Sequence, residues 1–163
     1  MMYDDIATGY DELHGEEQKK KILRVKHLLD GKKVLDIGAG TGILADYINA
    51  EVHGVEPSKE MIKQSKNRNI TMIQGKAEDT LLALEKNTYT ACASFTAFHH
   101  ITNPILVFEQ IQRVCVNDAT IVLSFLDTTP TETIHIFKEY FTTVNTYNVQ
   151  RDTVHVATNN YLK

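Results

Sequence analysis

Residues 33–42, Lys-Val-Leu-Asp-Ile-Gly-Ala-Gly-Thr-Gly, end an apolar run on three closely spaced glycines. Val34, Leu35 and Ile37 suit a buried strand, Asp36 sits near its end, and Gly38, Gly40 and Gly42 mark a tight turn. A second apolar segment, Val52-His-Gly-Val-Glu56, is again closed by an acid. A strand, a glycine turn, a helix and an acid-terminated strand place a nucleotide-type ligand at the carboxyl edge of a parallel sheet.

Spacing and charge narrow the ligand. A dinucleotide fingerprint has its third glycine five places after the first, where the helix must lie close to the strand. Here that place is Ile43. Asp36, just before the turn, would repel a pyrophosphate and suits a phosphate-free ligand with a cationic head. S-adenosylmethionine (SAM) carries an ammonium, a sulfonium, a ribose and an adenine. Glu56 then suits the two ribose hydroxyls as a charged, bidentate acceptor. Gly38 and Gly40 leave room for the methionine part, because a side chain there would fill its space.

Five segments, in order along most of the chain, resemble the class I SAM-dependent methyltransferases, most closely the small-molecule-like type 11 branch. Val34–Gly42 is similar to their first motif, Ala39 included. Gly54-Val-Glu-Pro-Ser58 with Met61 is similar to the second, where the Met packs on adenine beside Pro57. Gly75-Lys-Ala-Glu-Asp79 stands where the family has Gly-Asp-Ala-Glu. Ser94-Phe-Thr-Ala-Phe-His-His-Ile101 resembles the Leu-His-His-Ile run after the fourth strand. Tyr3-Asp-Asp-Ile-Ala-Thr-Gly-Tyr-Asp11 resembles the arm that caps the cofactor.

The resemblance implies roles. Asp36 faces the ammonium or caps the following turn, and Glu56 holds the ribose. Met61 with Ile73 or Ala77 flanks the adenine, whose amino group goes to Glu78 or Asp79. Phe95 borders the methionine moiety and the acceptor, while Tyr3 and Tyr10 close over the donor with His14 beside them. His99 and His100 are the candidate catalytic pair, as a general base or as shapers of their loop. Lys76 replaces the family's adenine-contacting Asp, and Asn117-Asp118-Ala119 replaces a Pro-Gly-Gly turn. A sulfonium donor requires no metal.

The chain of 163 residues reads as a single domain, 1–163, with residues 1–30 as a capping arm and helix. Its net charge of −4 argues against a nucleic-acid acceptor. The basic run Lys19-Lys-Lys21, preceded by Glu16 and Glu17, reads as a solvated helix face. No stretch approaches the ~20 apolar residues of a membrane span. The start, Met1-Met-Tyr-Asp-Asp, is polar, and Cys92 and Cys115 read as reduced and buried. The expected compartment is the cytoplasm.

Periodicity predicts an amphipathic helix at 16–30, with Leu13, Ile22, Val25 and Leu29 on its apolar side. Strands follow at 33–37, 51–56, 70–74, 89–95 and 119–126. Helices are expected at 41–49, 58–67, 77–85 and 103–115, the last with Asn103 as N-cap and Pro104 in its first turn. Another helix opens at Thr129-Pro-Thr-Glu132, read as a capping box. Strands near 142–149 and 153–160 are joined by Gln150-Arg-Asp152 alone. A link that short permits only an antiparallel hairpin, because a parallel crossover needs roughly a dozen residues.

The expected fold is α/β: a doubly wound, Rossmann-like three-layer sandwich on a mostly parallel seven-stranded sheet. The resemblance gives the order 3-2-1-4-5-7-6, with the last strand antiparallel. The leading expectation is methyl transfer from SAM to a small molecule by in-line displacement. A protein or RNA acceptor, a non-catalytic SAM-binding subunit and, remotely, a nicotinamide oxidoreductase are the alternatives. The oligomeric state stays open, a homodimer included.

Overall fold

The computed structural model describes residues 4–160, so Tyr3 lies outside the described residues. Seven strands form one sheet: β1 (Lys33–Ile37), β2 (Glu51–Glu56), β3 (Thr71–Gln74), β4 (Tyr89–Phe95), β5 (Cys115–Leu126), β6 (Phe141–Val149) and β7 (Asp152–Asn159). Their order is β3-β2-β1-β4-β5-β7-β6, and β7 is antiparallel to both of its neighbours. The turn between β6 and β7 is Gln150-Arg151, with Gln150 at φ 55°.

The period of two along the strands divides the core into two layers. Leu35, Ile37, Cys92, Ile121, Leu123 and Phe125 face α4 (Pro104–Val114) and α5 (Thr131–Tyr140), where they meet Val107, Phe108, Ile111 and Phe137. Val34, Val52, Ala91, Ala93, Val122, Val154 and Val156 face the other way. They pack with Ile22, Val25 and Leu29 of α1 (Tyr10–Leu29). These layers hold the carboxyl ends of β1, β2 and β4 together as one rim.

Helix α1 begins six residues earlier than its periodicity predicts, and Ile22, Val25 and Leu29 lie on its buried side as expected. Gln18, Lys21, Ile22, Val25 and Leu29 are inside, whereas Leu13 is 71% exposed. Lys21 is fully buried, so the basic run is not a solvated face throughout. Glu16–Lys19 and Glu17–Lys21 do pair along the helix, each at 3.9 Å.

The helix expected at 41–49 is only a 3-10 turn over Ile43–Asp46. Gly38, Gly40 and Gly42 all have positive φ, and Gly42 donates back to Ala39 instead of entering a helix. The segment 77–85 is likewise short: α3 (Ala77–Thr80) and then a 3-10 turn. The capping box at α5 does not form. Pro130 takes the N-cap position, which moves Thr129 one residue outside, and the buried Thr129 Oγ1 has no hydrogen-bond partner among the described residues.

Helix α4 starts as expected, with the Asn103 side chain accepting from the Leu106 N–H at 3.1 Å and Pro104 in the first turn. Strand β5 starts at Cys115, four residues before its expected beginning, and Asp118 turns at φ 63°. Aspartate tolerates that left-handed conformation better than most residues, so it can stand in the turn where glycine is usual. Cys92 and Cys115 are free and buried.

Candidate active site

The glycine turn after β1 and the end of β2 are tied together through the backbone. Gly38 and Ala39 both donate to the Val55 carbonyl, at 2.9 and 3.1 Å. The Gly40 N–H donates to Glu56 Oε2 at 2.9 Å, and the Ser58 N–H to Glu56 Oε1 at 2.9 Å. Three N–H groups of the turn, those of Gly38, Ala39 and Gly40, are thus taken by Val55 and Glu56, and Gly42 donates to Ala39.

Glu56 is only 6% exposed. Burial raises its pKa, and its two backbone donors work against that rise. Each oxygen keeps a second lone pair for a ligand. Asp36, 3% exposed, has its pKa pushed up to about 8 by burial and, secondarily, by the charge of Glu56. Burial thus favours the protonated form of this carboxyl over the ionised one.

Gly38 closes the turn under a neighbouring loop. A Cβ built on it would lie 2.3 Å from the Ala97 Cβ, and its φ is +68°. No side chain fits there. Gly40, also at positive φ, would meet nothing within 4 Å and so leaves open space.

A cavity of about 360 Å³ opens above this rim. Tyr10, Gly38, Gly40, Glu56, Pro57 and Met61 line one side of it. Lys76, Ala77, Glu78, Phe95 and His100 line the other. A recess of about 30 Å³ adjoins it and holds Asp36, Ala39 and Gln18; Tyr10, Gly38, Gly40 and Phe95 border both spaces. The structure thus gathers eleven cofactor candidates: Tyr10, Asp36, Gly38, Ala39, Gly40, Glu56, Pro57, Met61, Ala77, Glu78 and Phe95. Ile73, Asp79, His14 and His99 are not among the lining residues.

Glu78 has a structural duty as well. Its Oε1 accepts from the Thr102 N–H at 2.8 Å, which holds the loop before α4. His99 and His100 sit at an exposed rim with ring centroids 3.8 Å apart. Partial desolvation lowers both pKa values, for His99 with help from the His100 charge. Their turn is anchored from beneath by Phe98, which stacks on Phe108 at 5.1 Å and meets Phe125 edge-on at 5.6 Å.

The start of α1 is fastened over the turn. Arg68 donates to Asp11 at 2.6 Å, to Asp46 at 2.9 Å and to the Thr41 carbonyl at 2.8 Å, and Thr41 Oγ1 donates to Asp11 at 2.6 Å. Ser58 also hydrogen-bonds Asp4. These bonds seat Tyr10 at the mouth of the cavity. Gln18, Thr96 and Arg68 escaped the sequence reading. For Gln18 the signal was available: it lies one and two helical turns before Ile22 and Val25 on the buried stripe of α1.

A family model described as a methyltransferase domain matches residues 35–123. A Methanocaldococcus jannaschii protein is 30% identical over 129 residues, 77% of this chain and 62% of its own length. The ubiquinone biosynthesis O-methyltransferase of Vibrio cholerae is 26% identical over 69% of this chain and 53% of its own. The chain therefore spans about half to three-fifths of the curated relatives it matches.

Among solved structures, a SAM-dependent methyltransferase from Thermotoga maritima superposes with a TM-score of 0.79. It is 16% identical, over 96% of this chain and 98% of that one. A methyltransferase in complex with the Haloferax volcanii Trm112 activator gives 0.81 at 14% identity, over 98% of both chains. At such identities these two likenesses speak for the fold alone. With the family match covering more than half of its length, the chain belongs to the class I SAM-dependent methyltransferases.

Proposed function

We propose that this domain moves a methyl group from SAM to a small-molecule acceptor that enters beside Phe95 and His100. The observation that carries this reading is the pair of joined spaces. The larger ends in the ribose-type acceptor Glu56, and the smaller ends in a buried carboxyl, Asp36. Their residues fit the donor: Gly38 admits no side chain, and the causes acting on Asp36 are burial and a like charge, a deficit that an ammonium would offset. When bound, SAM supplies a methyl already activated by its sulfonium.

The remaining chemistry is positional. Glu56, fixed by two backbone N–H groups, receives the ribose hydroxyls. Met61 and Ala77 enclose the adenine, with Glu78 beside it. Tyr10 closes the mouth and limits water. His100, neutral at physiological pH and in the cavity wall, takes the proton of an O–H or N–H acceptor, while His99 supports the rim.

A net charge of −4 favours a small acceptor over a nucleic acid. The O-methyltransferase among the relatives agrees with that class. Incubation with methyl-labelled SAM and a cell extract, followed by separation by size, tests it. Label in the low-mass fraction supports the proposal; label confined to protein or RNA overturns it.

A further inference from the structure

Lys21, Asp152 and Thr96 lie far apart in the chain, and all are drawn into one polar cluster in which Thr96 is half-buried. Lys21 is 0% and Asp152 2% exposed. Lys21 Nζ donates to Asp152 Oδ2 at 3.0 Å and also to the Thr96 hydroxyl. That hydroxyl donates in turn to the same Asp152 oxygen at 2.7 Å. The Thr96 N–H donates to Ser124 Oγ at 2.7 Å.

Thr96 itself is strained. Its φ is +59°, a left-handed conformation in which a β-branched residue is an outlier. Such a conformation persists only where its surroundings over-determine it, and here α1, β5 and β7 each supply a bond. Thr96 follows β4 directly and lines the donor cavity between Phe95 and Ala97. Ala97 is the residue that a side chain on Gly38 would strike.

For stability alone an apolar pair would serve as well as Lys21 and Asp152, since desolvation offsets much of a buried ion pair's attraction. Asp152 Oδ1 is also buried and finds no partner among the described residues, a further cost. What an apolar pair cannot do is grip a hydroxyl.

We infer that Lys21 and Asp152 are positioning residues which, through the Thr96 hydroxyl, hold the wall of the donor site against the glycine turn. The inference rests on the donor reading above. It makes α1 and the terminal hairpin contributors to SAM affinity, although neither Lys21 nor Asp152 lines the cavity.

The test uses the full chain, with SAM and S-adenosylhomocysteine as calorimetric probes and amide exchange as a second readout. The double variant Lys21→Met/Asp152→Leu replaces the pair by apolar side chains. It is expected to melt within about 4 °C of the unaltered chain, to bind both probes about tenfold more weakly and to exchange faster over residues 95–102. Adding Thr96→Gly, whose backbone takes positive φ without strain, is expected to recover most of the affinity.

Should the double variant not fold, Thr96→Ala removes the gripped hydroxyl alone and is expected to show the same tenfold loss and faster exchange. Unaltered affinity and exchange in the folded double variant, or in Thr96→Ala, overturns the positioning role while leaving the donor reading intact. Failure of the unaltered chain to bind either probe removes the donor reading, and this inference with it.

Discussion

The backbone N–H of Gly40 donates to Glu56 Oε2 at 2.9 Å, so the last residue of β2 is fastened to the turn that follows β1. With the Ser58 N–H on its other oxygen, Glu56 has both oxygens oriented before any ligand arrives. That pre-orientation lowers the ordering cost of binding.

Replacing Glu56 by Gln keeps the shape and removes the charge. One oxygen must become an amide donor that faces a backbone N–H. SAM affinity is expected to fall by about 1.5–3 kcal/mol, the range for hydrogen bonds to a charged group. Adenosine should suffer the same loss, since it carries the same ribose. Calorimetry on both ligands checks this, and a loss confined to SAM would point away from the sugar.

Asp36 gives a pH signature. Its carboxyl titrates near 8 in the folded chain and near the ordinary 3.8 when unfolded. Between those values the folded state keeps a proton that the unfolded state has released. The contribution of this group to stability is therefore full below about pH 4 and is lost as pH rises through about 8. Asp36→Asn is expected to melt higher than the unaltered chain, with a gap that widens by up to about 1.4 kcal/mol per pH unit from pH 5 to pH 8. A gap independent of pH would contradict the assignment.

The same group predicts proton release on binding. An ammonium beside Asp36 favours the ionised form, so SAM binding at pH 7 should expel close to one proton. Calorimetry in two buffers of different ionisation enthalpy measures it. Binding heats equal in both buffers would place the ammonium elsewhere.

Gly38→Ala meets two costs. The new Cβ clashes with Ala97, which is worth about 1–3 kcal/mol, and it holds a left-handed φ worth about 1–2 kcal/mol. Ala97→Gly in the same chain should relieve the clash but not the φ cost, so recovery of melting temperature is expected to be partial. Full recovery would show that the backbone conformation carries no strain.

Once an acceptor is in hand, His100→Gln is expected to cut turnover about 100-fold, in the range for a lost general base, with SAM affinity unchanged. His99→Gln should leave turnover within about threefold, because its ring is not part of the cavity wall. Equal losses in the two variants would mean that the pair acts by shaping its loop.

The strands and most residues of the cavity lining were legible from local patterns, while the strand order came from the family resemblance. A link as short as Gln150-Arg-Asp152 allows only a hairpin, and glycines between apolar strands leave little choice for the turn after β1. What was not legible depended on distant partners. Lys21 belongs to a basic run and reads as solvated, yet its partner Asp152 lies 131 residues away. Its place on the stripe with Gln18, Ile22, Val25 and Leu29 was the one local hint. The expected helix after Gly42 is instead a single 3-10 turn, Ile43–Asp46, which the glycine spacing did not reveal. Leu13 points outward since α1 packs through the stripe that begins at Gln18. Glu78, not Asp79, lines the cavity, a choice the helical register alone did not make.

The most direct measurement is calorimetric titration of the whole chain with SAM, set beside the Glu56→Ala variant and a nicotinamide dinucleotide. The account predicts saturable single-site binding of SAM, strongly weakened by the substitution, and no heat from the dinucleotide. A flat titration at millimolar SAM, or one that Glu56→Ala leaves unchanged, would contradict it.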